Sequence, residues 1–448
     1  MATLGECLEK QKKHGILQAP TGLSPVKATA HTTTADTKPT LKIALQNKTT
    51  TSNVWAYITG LDVNRSNAVF ILSSDGITPY HPTSPPKTIS PMEQDIHIKL
   101  GPPGSTRTVT VPQLVGGRIY FSLDAQLTFF LNPGPALVEP SVMNPTDPNY
   151  NLTWSFAEFT YNKIQLFANI THVDFVSIPI SLGLTSTNTS VPPQVVPGIP
   201  PSGLQTIASS LRGLPGDWPS LIVPSPTSSV PLRILSPNSA IKVFPWLFNE
   251  YYAPYVSRVW SKYQSVPLRI NTQAQWGRLA GVVNATTDTL DFPVGSFPRP
   301  STADIFSCDT GAFARYKENT EVMGNITARL AAALNRSTLL ENGHQPDGEV
   351  VERFYKESVT NHYSRVVHEA SLDGKGYAFP YDDVAAREED GVAGVVAGSE
   401  PGLFLVGVGG VVDVPARGGL AEMAWEAVSE LGSVLRVVWG WKGLGAGR

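Results

Sequence analysis

The sequence predicts a mainly β fold with a mixed α/β part inserted into it. Short apolar–polar alternating runs, broken by Gly, Pro, Asn and Ser, fill residues 41 to about 185. Glycine and proline, 38 of each, supply the turns that many short strands require. Helical spacing takes over between about 200 and 370, and strand patterns return at 376–384 and 402–409. A chain of 448 residues can bury a large core and can divide into more than one part.

In chain order, residues 1–40 are polar, Thr/Ala-rich and aperiodic, and are expected to be disordered. LKIALQN (41–47), VWAYITG (54–60), AVFILSS (68–74), IHIKL (96–100), TVTVPQL (108–114), RIYFSL (118–123), LTFFL (127–131), WSFAEFTY (154–161), IQLFANI (164–170) and VDFVSIPISLGL (173–184) read as strands. Their spacing argues for a β-sandwich or barrel over 41–200, completed by 375–410. Residues 186–240 are rich in Pro and Ser and read as a linker or long connection, with helical spacing inside it at 203–214. The mixed α/β part spans 201–374. Residues 249–264 read as a helix with Tyr252, Val256, Val259 and Tyr263 on one stripe; Pro254 must sit in its first turn or interrupt it. PLRIN (267–271) and LAGVVNA (279–285) read as strands, 325–340 as an Ala-rich helix, and 349–371 as one helix or two. Residues 411–448 form a C-terminal extension whose segment 420–441 is helix-like.

Trp154–Ile180 carries the chemistry. Trp154, Phe156, Glu158, Thr160 and Asn162 share one parity, hence one face of a strand, while Asp174 heads another strand. A carboxylate flanked by a hydroxyl, an amide and aromatic rings is a surface that sugars prefer. Two carboxylates on neighbouring strands are the minimum equipment for hydrolysing a glycosidic bond. Alternate strands of a sheet lie about 10 Å apart, near the ~6.5–9.5 Å that an inverting acid–base pair needs to hold a water. The two groups must differ in protonation. Glu158, beside Trp154 and Phe156, is expected to be raised by desolvation and by the charge of Asp174; Asp174, nearer solvent beside Thr171 and His172, is expected to stay ionised.

These residues resemble glycoside hydrolase family 64, the inverting endo-β-1,3-glucanases with a thaumatin-like fold. The resemblance runs over roughly residues 41 to 410. It is carried by LKIALQNKT (41–49), VWAYITGLD (54–62), RIYFSL, PALVEPS (135–141), MNPTDPNYNLTWSFAEFTYN (143–162), ADIFSCDTGAF (303–313), YAFPYDDV (377–384) and PGLFLVGVGG (401–410). The pair EFTYN…THVDF is its most specific part. The resemblance implies a thaumatin-like β domain and an inserted α/β domain forming a wide groove. It places the general acid at Glu158 and the general base at Asp174, and assigns Thr160 and Asn162 to glucan contact. Phe167 falls where an aromatic sugar platform, often Trp, is expected; Trp154 is a further aromatic candidate. The implied substrate is β-1,3-glucan, cleaved at internal bonds by a monomer with no cofactor. A non-catalytic β-glucan-binding thaumatin-like protein is the alternative.

Other classes find little support. The net charge of −3 and pI near 6.3 give no electrostatic case for nucleic acid or an anionic membrane. No stretch is long and apolar enough to span a bilayer. His172, His344, His362 and His368 show no metal-ligand pattern, so no metal is expected. GVGG (407–410) opens no nucleotide-binding unit, and no Gly-x-Ser-x-Gly elbow is present. Asp304, Asp309, Asp382 and Asp383 read as turn hydrogen-bonding groups. The first residues lack an apolar signal-peptide core. Eight Asn-x-Ser/Thr sequons, at Asn47, Asn64, Asn151, Asn169, Asn188, Asn284, Asn325 and Asn335, together with the resemblance, nevertheless lean towards an extracellular or cell-wall protein. Cys7 and Cys308 are the two cysteines, so core burial must carry stability.

Overall fold

A computed structural model of the protein describes residues 39–315, 320–387 and 390–415. Most of the expected disordered segment, Cys7 included, and the helix-like 420–441 lie outside the described residues. Two sheets face each other. Their main strands are β1 (Leu41–Asn47), β2 (Val54–Asp62), β3 (Ala68–Leu72), β4 (Thr106–Val111), β5 (Leu114–Leu123), β6 (Thr153–Tyr161), β7 (Leu166–Ile170), β8 (Ile180–Ser186), β9 (Gln194–Val196), β10 (Val395–Gly398) and β11 (Pro401–Val408). One sheet runs β9-β8-β11-β1-β4. The other runs β10-β7-β6-β5-β2-β3, with Pro79–Tyr80 at its edge and Ile98–Lys99 paired to β2. β1 and β11 are parallel, from Lys42 opposite Leu403 to Asn47 opposite Val408. A tight hairpin cannot join parallel neighbours. The mixed α/β part lies within the connection that returns the chain to its first strand.

Strand alternation decides which side chains fill the sandwich. Ile43, Ile58, Phe121, Phe159, Leu166 and Phe404 are buried together between the sheets. The opposite parity of the second sheet does not simply face water. Tyr57, Tyr120, Trp154 and Phe156 enter a second core with Ile207, Trp218, Tyr252 and Tyr363 from the mixed part. That sheet is therefore covered on both faces over part of its length.

The mixed part contains α1 (Gly203–Arg212), α2 (Pro237–Val243), α3 (Ala253–Ser265), α4 (Thr302–Ser307), α5 (Glu321–Arg336) and α6 (His362–Ala370). Beside them lies a five-stranded sheet that includes Leu268–Asn271 and Arg278–Asn284. Pro254 sits in the first turn of α3, where its missing N–H costs nothing, and Tyr255, Val256, Val259 and Tyr263 are buried along the helix. α5 is entered through Thr320, whose side chain accepts from the Met323 N–H, and ends at Ser337 in the left-handed conformation.

Several sequence expectations need revision. Residues 186–240 are not a linker: they contain β9, α1, Arg233–Leu235 and the fully buried Trp218. Of the two readings of 349–371, one helix or two, the structure has the second: a short 3-10 turn at Val351–Arg353 and, separately, α6. IHIKL is strand only at Ile98–Lys99, and LTFFL contributes only to Phe130–Asn132. Among the sequons, Asn47 and Asn335 are fully buried and Asn169 is 6% exposed, so these three cannot carry a glycan on the folded chain.

Gly117 and Phe159 are directly opposed between β5 and β6. A Cβ at Gly117 would lie 2.6 Å from the Phe159 ring, which is itself 1% exposed and cannot retreat. Gly117→Ala is expected to cost about 1–3 kcal/mol and lower Tm. Adding Phe159→Leu should recover part of that loss, as thermal melts of the single and double variants will show.

Candidate active site

The site is built on the outward parity of the second sheet. A row of paired residues crosses five strands: Thr59, Arg118, Glu158, Asn169 and Val395. The next row holds Tyr57, Tyr120 and Phe156. Polar and charged groups thus lie immediately beside an aromatic core edge. Directly opposed residues have Cβ atoms ~4.5–5.5 Å apart, so Arg118 and Glu158 meet as a consequence of register.

Glu158 is only 18% exposed in its side chain. The Arg118 Nε donates to Glu158 Oε1 at 3.3 Å, and the same guanidinium reaches Glu139 Oε2 at 2.5 Å through its other edge. The guanidinium lies over the Phe156 ring, 5.0 Å from its centroid. Burial pushes the Glu158 carboxyl above its ordinary range; Arg118 opposes this, and the charges of Asp174 and Glu139 add to it.

Asp174 is positioned by a different set of contacts. It immediately precedes Phe175–Val176, which pairs with Arg233–Leu235, and its own carbonyl accepts from the Ser236 N–H at 2.9 Å. The buried Arg233 donates to the carbonyls of Tyr150 (2.6 Å) and Leu152 (2.9 Å), tying this strand to the entry of β6. The Phe175 ring meets Trp154 edge-on at 4.8 Å. Two residues upstream, the His172 carbonyl accepts from Tyr363 Oη at 2.6 Å and its N–H donates to the Tyr377 carbonyl at 2.7 Å. The Asp174 backbone is therefore clamped, while its half-buried carboxylate has no protein hydrogen-bond partner among the described residues. The structure brings Asp174 close enough for its charge to raise Glu158. His172 supplies no charge there: burial and the nearby His368 push its pKa down to about 4.

The remaining sequence candidates separate. Thr160 is buried and directly opposite the half-buried Phe167, so the two share the face of Glu158. Asn162 turns the β6–β7 hairpin: its Oδ1 accepts from the N–H groups of Ile164 and Gln165, leaving its Nδ2 to donate elsewhere. Trp154 is a correction. It is 3% exposed, donates from Nε1 to the Asn149 carbonyl at 3.3 Å and packs in the second core, so its ring presents no face to a ligand.

Arg118, Glu139 and Tyr377 were not singled out by sequence reasoning, and Asp383 was read as a turn hydrogen-bonding group. Tyr377 feels the charges of both Glu158 and Asp383, and its hydroxyl donates to Asp383 Oδ1 at 3.4 Å, so a third carboxylate stands behind the pair. A signal existed for Arg118, which breaks an otherwise apolar strand at the parity of Tyr120 and Ser122. Glu139 gave none. Asp382, by contrast, is structural. It is fully buried, meets Arg336 (3.3 Å) and His368 (2.9 Å), and accepts from the Ala378 N–H. Asp304 closes the capping box of α4 with Ser301.

Chemically, the arrangement sets one desolvated carboxyl, whose hold on its proton burial strengthens, near a second carboxyl without a protein hydrogen-bond partner among the described residues, and acid–base work on a bound substrate needs two such groups in unlike surroundings. Among the described residues no cluster of His, Cys, Asp or Glu is arranged to hold a metal, and no helix is long and apolar enough to cross a membrane.

The profile of glycoside hydrolase family 64, described as β-1,3-glucanase, matches residues 39–408. The chain is 31% identical over 287 residues to a glucan endo-1,3-β-glucosidase of Cellulosimicrobium cellulans, and to one of Arthrobacter sp. (strain YCWD3). Each alignment covers 63% of this chain and 50% of the relative, so the chain spans about half the length of these curated relatives. The crystal structure of a laminaripentaose-producing β-1,3-glucanase in complex with laminaritetraose superposes with a TM-score of 0.73 at 30% identity, covering 82% of this chain and 98% of that one. A β-1,3-glucanase domain from Clostridium beijerinckii, at 18% identity and a TM-score of 0.63, shares the fold.

Two carboxylates of this region should respond oppositely to neutralisation. Asp382→Asn leaves Arg336 with an uncompensated buried charge and is expected to cost about 3–5 kcal/mol. Glu158→Gln removes a carboxylate whose ionised form is disfavoured by burial, and should leave Tm at neutral pH unchanged or raised. Parallel thermal melts of the two variants check this.

Proposed function

From the premise that this chain belongs to glycoside hydrolase family 64, the β-1,3-glucanases, we propose that it cleaves internal β-1,3-glucosidic bonds of β-1,3-glucan. The single observation that carries this reading is the meeting of Glu158 with Asp174: one carboxyl, in mid-strand, raised by burial and by the charge of the other, which precedes a strand of a separate small sheet and has no protein hydrogen-bond partner among the described residues. The mechanism is an inverting single displacement. Glu158 protonates the glycosidic oxygen as the bond breaks. Asp174 takes a proton from the water that attacks the opposite face of the sugar. Inversion of a β bond releases an α-configured product.

The glucan lies along a groove between a thaumatin-like β domain and the mixed α/β part. Phe167 offers it a ring, with Thr160 and the free amide of Asn162 beside it. Trp154 is left out of this contact set because its ring is spent on the core. An extracellular or cell-wall location fits such a polymeric substrate. The protein acts as a monomer and without a cofactor.

Glu158→Gln and Asp174→Asn should each lower kcat on laminarin by about 10²–10⁴-fold, the usual worth of a positioned general acid or base, with little change in glucan binding. Wild-type kcat/KM should trace a bell against pH. Its alkaline limb should lie above the ordinary carboxylate range because Glu158 must stay protonated to act and burial holds its proton on. NMR of the first products should show the α-anomer. Full activity in Glu158→Gln, or a β-anomer, sinks the mechanism; binding to insoluble glucan without sugar release by the wild type points to a non-catalytic glucan-binding protein.

A further inference from the structure

We infer that Glu139, acting through Arg118, is a positioning residue that sets the protonation state of Glu158. The inference rests on the reading of Glu158 as the general acid, and it answers a difficulty in that reading. A general acid must hold its proton, yet Glu158 lies directly across the β5–β6 pair from an arginine. An opposite charge at such range favours the ionised carboxylate.

The geometry resolves the conflict. The Arg118 guanidinium stands between two carboxylates and does not treat them equally. NH1 meets Glu139 at 2.5 Å, while Nε and NH2 reach Glu158 only at 3.3 Å. All three side chains are poorly solvated, with 11% of Arg118, 13% of Glu139 and 18% of Glu158 exposed. Little solvent screening remains at such burial, so net charge governs which state is stable. With Glu158 protonated, Arg118 and Glu139 cancel and the trio is neutral. With Glu158 ionised, the trio carries one net negative charge beside Asp174. Glu139 therefore takes up the cation and keeps Glu158 in its acid form.

The same arrangement serves the next step. When Glu158 gives up its proton to the leaving oxygen, the guanidinium is already within 3.3 Å of Oε1 and can strengthen its contact with the new carboxylate. The plane of Arg118 is fixed by the Phe156 ring beneath it and by its NH1 contact to Tyr120 Oη at 3.4 Å. The charged and titratable groups that act on Glu158 among the described residues come from several elements. Arg118 and Tyr120 come from β5, Glu139 from the segment after Ala136–Val138, Asp174 from the segment after β7, and Tyr377, backed by Asp383, from the segment after α6. Asn169, its cross-strand neighbour on β7, is uncharged.

The test is the pH profile of kcat/KM on laminarin for Glu139→Gln and Arg118→Met. Glu139→Gln removes a negative charge and releases the guanidinium to Glu158. Both effects favour the carboxylate, so the alkaline limb should move to lower pH and activity on that side should fall about tenfold, the effect of one neighbouring charge. Arg118→Met should move the limb the other way while lowering kcat at the optimum. A residue that merely supported the fold would lower activity or Tm at every pH and leave the limb in place.

A carbon-13 titration of the side-chain carboxyls in the substrate-free protein reads the same shift without turnover. The Glu158 signal is the one lost in Glu158→Gln. Should Glu139→Gln fail to fold, Glu139→Asp keeps the charge but withdraws it by one methylene, and a smaller shift of the same sign is expected. An unmoved limb and an unmoved Glu158 titration, with Glu158→Gln inactive, overturn the role of Glu139 and leave the acid in place. An active Glu158→Gln overturns the acid assignment itself.

Discussion

The antiparallel pairing of β5 with β6 is the constraint on which the site depends. Because side chains alternate, this one register puts Ile119 and Phe121 with Ala157 and Phe159 inside the sandwich, and puts Arg118 opposite Glu158 on the other face. A slip of one residue would send the carboxylate into the hydrocarbon core and the aromatic rings outward. The requirement to bury Phe159 against Gly117 thus also fixes where the proposed acid stands.

The two carboxylates are held by different devices, and the difference suits their proposed work. Glu158 projects from the middle of a strand that is hydrogen-bonded on both sides, so its backbone has little freedom. Asp174 sits where the regular sheet has ended. Its place is fixed by partners distant in sequence: Ser236, Arg233 through the entry of β6, Tyr363 and the Tyr377 carbonyl. These come from three separate segments, two in the mixed part and one in the returning chain. The inserted residues therefore do more than cover the sheet, because Ser236, Arg233 and Tyr363 supply much of what holds the segment bearing Asp174 near Glu158.

Local periodicity made much of this legible in the sequence, and long-range pairing hid the rest. The parity of WSFAEFTYN correctly put Trp154, Phe156, Glu158 and Thr160 on one face, because strand alternation is a local property. It could not show that this face is shared between a second core and a polar row, so Trp154 looked like a sugar platform when it is packing. Asn162 had two readings, hairpin former and ligand contact; its Oδ1 serves the hairpin. The burial of Asn47, Asn169 and Asn335 was invisible to a motif that counts three residues at a time. Glu139 reaches Arg118 from a short irregular segment, and nothing in PALVEPS announces it.

The site lies at a boundary, and the boundary accounts for its electrostatics. Along the outer face of the second sheet, the row Tyr57–Tyr120–Phe156 belongs to packed hydrocarbon, and the adjacent row Thr59–Arg118–Glu158–Asn169 is polar. A carboxyl placed wholly inside the first row would be unreachable, and one placed beyond the second would be solvated and ionised at neutral pH. At the junction, the aromatic side removes water from Glu158 while the open side leaves it within reach of a substrate. Burial raises its hold on the proton, and the incomplete cover leaves the carboxyl open on one side, as the proposed acid role requires. One step along the strand in either direction would forfeit one of these conditions. The boundary between the two rows is therefore what a mobile or isolated carboxylate would lack.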